Sequence, residues 1–196
     1  MYKFLESICF SSGNYHLLNY HQERVNLTFS RFFPQKRPFL LTDILPNLSG
    51  MDKQKVRIEY DMDGFEIGVS NYKSRNIQSL TLIEADKIDY AFKYANRTTI
   101  DQLLSLRNGA EDILIIKYQK VTDCSYANVL FKDEKGWVTP KSYLLNGVKR
   151  RKLLQENVIR EQEISVKDIS QFSMISLINA MLDPGDISLP VSQIMR

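Results

Sequence analysis

Apolar and polar positions along the chain fall into short runs, and the runs predict a mixed architecture. Leu5 to Phe10 is mostly apolar and ends at Ser11-Ser12-Gly13-Asn14, a strand running into a turn. From about Tyr20 to Phe33, the residues Tyr20, Val25, Leu27, Phe29 and Phe32 are spread among polar ones. That spacing predicts an amphipathic helix, stopped by Pro34 and Pro38. Val56 to Tyr72 alternates apolar and polar residues on both sides of Asp63-Gly64 (VRIEYDM, then FEIGVSNY), the pattern of a hairpin. A short helix is expected from Thr99 to Leu106, with Asn96, Thr98 or Thr99 as its cap and Asn108-Gly109 as its stop.

After Gly109 the pattern changes. DILIIKYQKVTD, SYANVLFKD and GWVTP read as consecutive short strands with turns between them. Asn146-Gly147 opens a basic helix, VKRRKLLQENV. Ser165-Val166-Lys167-Asp168 has the form of a capping box with Asp in the usual Glu place, and SMISLINAM is a last strand. The expected organisation is a small α+β N-terminal lobe, residues 1–90, and a strand-rich C-terminal lobe, residues 91–196, with Asp86 to Thr99 joining them. A ligand cleft between such lobes is a common arrangement.

Composition narrows the function classes. The 196 residues suffice for one large domain or two small ones, and 43% hydrophobic with 25% charged residues is ordinary for a folded soluble chain. A formal net charge of +3 is too small to argue for nucleic acid, and the longest basic run is only Lys149-Arg150-Arg151-Lys152. Cys9 and Cys124 are far apart, and neither stands at ligand spacing from His16 or His21, so no zinc site is expected. Two such cysteines suit a reducing compartment. With no signal-peptide pattern and no membrane-length apolar segment, the expected location is the cytoplasm, without a membrane partner. There is no GxGxxG, P-loop or nucleophile elbow.

Four features carry candidate chemistry, each with an ordinary alternative. Asn146-Gly147-Val148-Lys149-Arg150 offers backbone N–H groups at a helix start for a phosphate, or is a plain turn before a surface helix. Lys93 in FKYANRTT has apolar and aromatic neighbours that would lower its pKa and make it a nucleophile, or it is an exposed lysine. Arg24 shares a helix face with Tyr20 and Thr28 and could fork onto a phosphate, or it makes a surface ion pair. Asp123 follows Ile113 to Ile116 and Val121, residues that ought to be buried. It either faces something that wants a negative charge or caps local N–H groups in an exposed turn.

In combination and order, these motifs resemble the class IV aminotransferases, and most closely their aminodeoxychorismate lyase branch. The likeness rests on ESICF, YHQERV, FKYANR, VTDCSYANVLF, WVTPKSYLLNGVKRR and SLINAM. It implies a two-lobed fold with pyridoxal 5′-phosphate in the cleft. Lys93 would be the Schiff-base lysine and the proton carrier, and Asp123 the partner of the pyridine nitrogen. Arg24, the N–H groups of Val148 and Lys149 after Gly147, and the Asn179-Ala180 region would hold the phosphate, and Asn128 would shape the turn beside the cofactor. The implied reaction is release of pyruvate and 4-aminobenzoate from 4-amino-4-deoxychorismate, for folate synthesis. A class IV aminotransferase acting on a branched-chain or D-amino acid, and a non-catalytic relative, are the alternatives. A homodimer is implied as well. Two departures stand out: the family usually has Glu at the place of Asp123, and the chain is short for the family. Arg97, Arg75 and Tyr94 are candidates for the substrate carboxylate.

Overall fold

A computed structural model of the chain describes residues 2–195. The described residues form two compact units. The first runs to Lys73 and includes Phe92–Asn96; the second is Ser74–Ala91 together with the residues from Arg97 onward.

The first unit contains β1 (Phe4–Ser11), β2 (Asn14–Tyr15), α1 (Leu18–Phe32), α2 (Leu41–Ile44), β3 (Gln54–Tyr60) and β4 (Phe65–Asn71). Its strands form an antiparallel sheet in the order β2-β1-β3-β4. Ser12 and Gly13 both take positive φ, 51° and 77°, which gives the tight, right-twisting turn between β1 and β2. Side chains alternate across a strand, so Phe4, Glu6, Ile8 and Phe10 share one face of β1. The apolar three pack with Val25 and Phe29 of α1 and Val56, Ile58 and Tyr60 of β3. Burying each such side chain contributes roughly 1.5–3 kcal/mol. Glu6 sits among them, fully buried. Helix α1 starts two residues before the expected Tyr20, and its buried face is His21, Arg24, Val25, Thr28 and Phe29.

The second unit contains β5 (Leu80–Glu84), α3 (Thr98–Ser105), β6 (Asp112–Lys117), β7 (Lys120–Cys124), β8 (Asn128–Asp133), β9 (Gly136–Pro140), α4 (Val148–Gln155), β10 (Arg160–Gln162), β11 (Met174–Ile178), β12 (Ser188–Pro190) and β13 (Ile194–Met195). The sheet order is β10-β9-β8-β7-β6-β5-β13, with β11 on β8 and β12 on β11. Strands β6 to β9 follow one another antiparallel, whereas β5 lies parallel to β6. The central strands are buried on both faces, as the all-apolar Ile113 to Ile116 run requires.

Three expectations need correction. DILIIKYQKVTD is two strands: Tyr118 and Gln119 take φ 50° and 61°, a tight turn that hydropathy alone hides. Helix α3 has Arg97 at its N-cap and no side-chain cap, although Asn96, Thr98 and Thr99 were available in the sequence. The division into units is also not a single cut at 90/91. The parallel pairing of Leu80–Glu84 with Asp112–Ile116 ties the 74–91 segment to the second unit. Residues 92–96 run beside β1 in the first unit, where Lys93 O accepts the Leu5 N–H (2.9 Å) and Ala95 N–H reaches Lys3 O (2.8 Å).

The capping box around Ser165 is present, with Asp168 accepting the Ser165 N–H at 2.8 Å at the start of a 3-10 turn. Cys9 and Cys124 form no disulfide. Among the described residues no helix is long and apolar enough to cross a membrane.

Candidate functional site

The predicted residues fall into two sets, one in each unit. Arg24 and Lys93 are in the first; Asp123, Asn128, Gly147, Val148, Lys149, Asn179 and Ala180 are in the second.

In the second unit Asp123 lies near the end of β7 and is buried. Its Oδ1 accepts from Asn128 Nδ2 at 2.8 Å, and its Oδ2 accepts the N–H groups of Leu144 (3.1 Å) and Leu145 (2.9 Å). Burial pushes its carboxyl up to about 6, against the pull of the Leu145 N–H, Asn128, the Leu144 N–H and the more distant charge of Arg150. All three donors are neutral, and a carboxylate offers about four lone-pair positions. The site therefore solvates the acid without neutralising it.

Asn128 joins that acid to the start of α4. Its second Nδ2 hydrogen goes to Leu145 O at 2.8 Å, so both amide hydrogens are committed. Its Oδ1 lies against Gly147, where an added Cβ would come within 2.1 Å of it. Glycine is required there for close approach, since any side chain would displace Asn128. Gly147 is the N-cap of α4, and the N–H groups of Val148 and Lys149 belong to a first turn that has no intrahelical acceptors.

The basic run at α4 is largely consumed inside the unit. Lys149 Nζ is 2.5 Å from Asp183. Arg150 is buried; it donates to Asn146 Oδ1 and Pro140 O (both 3.2 Å) and to Glu161, and it stacks 4.3 Å from the Tyr143 ring centre. This is a packed anchor, not a polyanion surface. After β11, the Asn179 side chain shapes its own turn by accepting the Met181 N–H (2.8 Å), and it donates to Tyr126 O (3.4 Å). Ala180 occupies the next position of that turn, half-buried.

The arginines considered for a substrate carboxylate are engaged with the turn after Asp123. Arg97 donates to Ser125 O at 2.7 Å, and Arg75 lies 4.5 Å over the Tyr126 ring and 3.9 Å from Asp112. Tyr94 packs in an aromatic cluster, 5.3 Å from Phe4. Asp112, which the sequence reading passed over, is fully buried and accepts both the N–H and the hydroxyl of Ser125, at 3.3 and 3.0 Å.

In the first unit Arg24 is buried, and not on the surface. Its Nε donates to Glu6 Oε1 at 2.7 Å and its Nη2 to Glu6 Oε2 at 2.5 Å, a forked pair. His21 Nδ1 lies 2.5 Å from the same Oε2. Burial raises the Glu6 carboxyl, but the charge and hydrogen bonds of Arg24, with those of His21, outweigh it and bring the group down to about 2. An ionised carboxylate only accepts, so Nδ1 carries the imidazole proton. Burial, opposed by Glu6 and reinforced by the charges of Arg24 and Lys93, lowers the His21 pKa. The ring is then neutral near pH 7, and Nε2 has no hydrogen-bond partner among the described residues. Sequence reasoning missed Glu6 and His21. The available signal was an acid at the centre of the apolar strand FLESICF, the same signal that singled out Asp123.

Among the described residues no group of three or more His, Cys, Asp or Glu could hold a metal ion. The donor set does fit a phosphorylated pyridine aldehyde. In the second unit, among the described residues, the hydrogen-bond donors on Asp123 are all neutral, which leaves a place for a ring N–H, and the α4 start presents N–H groups suited to a phosphate.

Comparison with known proteins identifies the family. The class IV aminotransferase family model matches residues 3–188. An uncharacterized protein of Haemophilus influenzae is 34% identical over 185 residues, covering 92% of this chain and 98% of that protein. The crystal structure of a candidate 4-amino-4-deoxychorismate lyase from Haemophilus somnus is 31% identical, covers 92% of this chain and 97% of its own, and superposes with a TM-score of 0.87. A hypothetical aminotransferase of Mycobacterium tuberculosis, in its pyridoxal-phosphate-bound form, shares the fold at 15% identity, with a TM-score of 0.74 over 98% of this chain and 81% of its own. The chain belongs to the class IV aminotransferases, a family whose cofactor is pyridoxal 5′-phosphate.

Proposed function

We propose that this chain is a pyridoxal-phosphate-dependent lyase that converts 4-amino-4-deoxychorismate to pyruvate and 4-aminobenzoate, a folate precursor. The observation that carries the reading is the likeness to the Haemophilus somnus protein, which extends over nearly all of both chains at 31% identity. The two buried acids with opposite surroundings support it from the side of the chemistry.

In this proposal Lys93 is the amine to which the cofactor attaches. Once the substrate amine had displaced it from the cofactor, its free amine would take the proton from the amine-bearing carbon and return a proton to the departing pyruvate. The cofactor supplies an electron sink at that carbon. Asp123, held in place by Asn128 and the N–H groups of Leu144 and Leu145, would be the acid that keeps the ring nitrogen protonated. Arg24, the first turn of α4 after Gly147, and the Asn179-Ala180 turn bind the phosphate. Asn128 serves by position, since its amide hydrogens are already used on Asp123 and Leu145. A homodimer belongs to the same proposal, and light scattering should give twice the 22.8 kDa chain mass.

Purified protein given 4-amino-4-deoxychorismate should release pyruvate and 4-aminobenzoate in equal amounts, and Lys93→Ala should release neither. Absence of both products, with amino-group transfer from a branched-chain or D-amino acid to a 2-oxo acid, would replace the lyase with the aminotransferase. The match of residues 3–188 to the class IV aminotransferase family model supports that second reading.

A further inference from the structure

We infer that Glu6 is a positioning residue for cofactor binding: it fixes the Arg24 guanidinium in the orientation in which it meets the cofactor phosphate. The inference rests on the proposed function and assigns a role to a residue that does not itself touch the cofactor.

Glu6 holds Arg24 by two parallel bonds, Nε to Oε1 (2.7 Å) and Nη2 to Oε2 (2.5 Å). Those bonds use two of the five guanidinium N–H groups and remove the rotamer freedom of a long side chain. The carboxylate cannot swing, because His21 Nδ1 holds Oε2 at 2.5 Å and Phe4 and Ile8 flank it on the core face of β1. Stability alone gives little reason for this arrangement. A buried ion pair is often no more stabilising than packed apolar residues of the same volume. What the pair does provide is one guanidinium orientation.

Strand β1 also sets where Lys93 lies, since the N–H of Leu5, the residue before Glu6, donates to Lys93 O at 2.9 Å. Adjacent residues of one strand thus register the phosphate arginine and the attachment lysine. A shift of either would separate the amine from the phosphate anchor that presents the aldehyde to it.

The test compares pyridoxal 5′-phosphate with pyridoxal, which lacks the phosphate. Cofactor-free full-length protein is titrated with each, and affinity is read by absorbance and by borohydride trapping on Lys93. Glu6→Gln should weaken the phosphorylated ligand at least tenfold and leave pyridoxal within twofold. Glu6→Asp, which keeps the charge but shortens the reach, should show a smaller loss of the same selective kind. It also serves as the test variant if Glu6→Gln does not fold. Equal weakening of both ligands, or an unchanged preference in a folded variant, overturns the inference while leaving the functional reading intact. If wild-type protein binds neither ligand, the functional reading falls and this inference falls with it.

Discussion

Glu6 in β1 and Asp123 in β7 are both buried carboxylates, each in a strand whose neighbours are apolar, yet they titrate in opposite directions. Glu6 faces an arginine fork and a histidine and falls to about 2; Asp123 faces only neutral donors and rises to about 6. Burial is the largest single influence on each and pushes both upward. The formal charge across the contact decides the net sign. Among the described residues Glu6 has both its hydrogen bonds and its counter-charge, while Asp123 has its hydrogen bonds alone. That contrast separates an acid whose counter-charge is beside it from one held by neutral donors alone.

The contrast can be broken most severely at Glu6. Glu6→Ala leaves the Arg24 guanidinium buried without its carboxylate and should lower stability by roughly 3–5 kcal/mol, read by chemical denaturation of the cofactor-free protein. A loss below about 1 kcal/mol would mean that the Arg24 guanidinium relaxes to water at little cost.

At Asp123 the larger effect should be on turnover. An asparagine can satisfy Asn128 or the Leu144 and Leu145 N–H groups, but its own NH2 then faces a donor on the other side. Asp123→Asn should lower turnover by about 100-fold or more, through loss of the charge opposite the ring nitrogen. Its cost in stability should be about 1–3 kcal/mol. Wild-type turnover in this variant would remove Asp123 from the site.

The two acids should also leave opposite marks on stability against pH. Glu6 is depressed from 4.5, so its contribution is present above that value and lost as pH falls towards 2. Asp123 is raised from 3.8, so its contribution is present below about 4 and lost as pH rises through 6. Each amounts to on the order of 3 kcal/mol. Denaturation of the cofactor-free protein between pH 4 and 6 should show the Asp123 loss, and bound cofactor should remove that slope by supplying the missing cation. An unchanged slope on cofactor addition would argue against a charged partner.

The smallest effect belongs to Lys149. Its ion pair is to an Asp183 whose side chain is 62% exposed, so Lys149→Met should cost under about 1 kcal/mol. A larger loss would show that the pair pins the turn after β11 against α4.

Much of this was legible beforehand, for identifiable reasons. The hairpin at Val56–Tyr72, helix α1 and the basic helix after Asn146-Gly147 are local, set by periodicity, proline and glycine, and the structure has them at those places. Lys93, Asp123 and the Asn-Gly start stood out as residue types in an unusual setting. What stayed hidden was non-local. The β5–β6 pairing joins residues about thirty positions apart, and no periodicity in Leu80–Glu84 announces it. The Tyr118-Gln119 turn has neither glycine nor proline to mark it.

The sequence by itself determined the family, the local elements and the setting of Asp123 after an apolar strand, and it carried in FLESICF the unread signal of a second such acid. Only the tertiary structure decided what those acids mean. Arg24 and Glu6 are eighteen residues apart along the chain, and only the packing of α1 on β1 makes them a forked pair. Asp123 meets Leu144 and Leu145 across more than twenty residues, and glycine at 147 lets Asn128 tie that acid to a helix start. A carboxylate's charge state depends on what lies within a few ångströms of it, and chain folding, not sequence adjacency, brings those groups there.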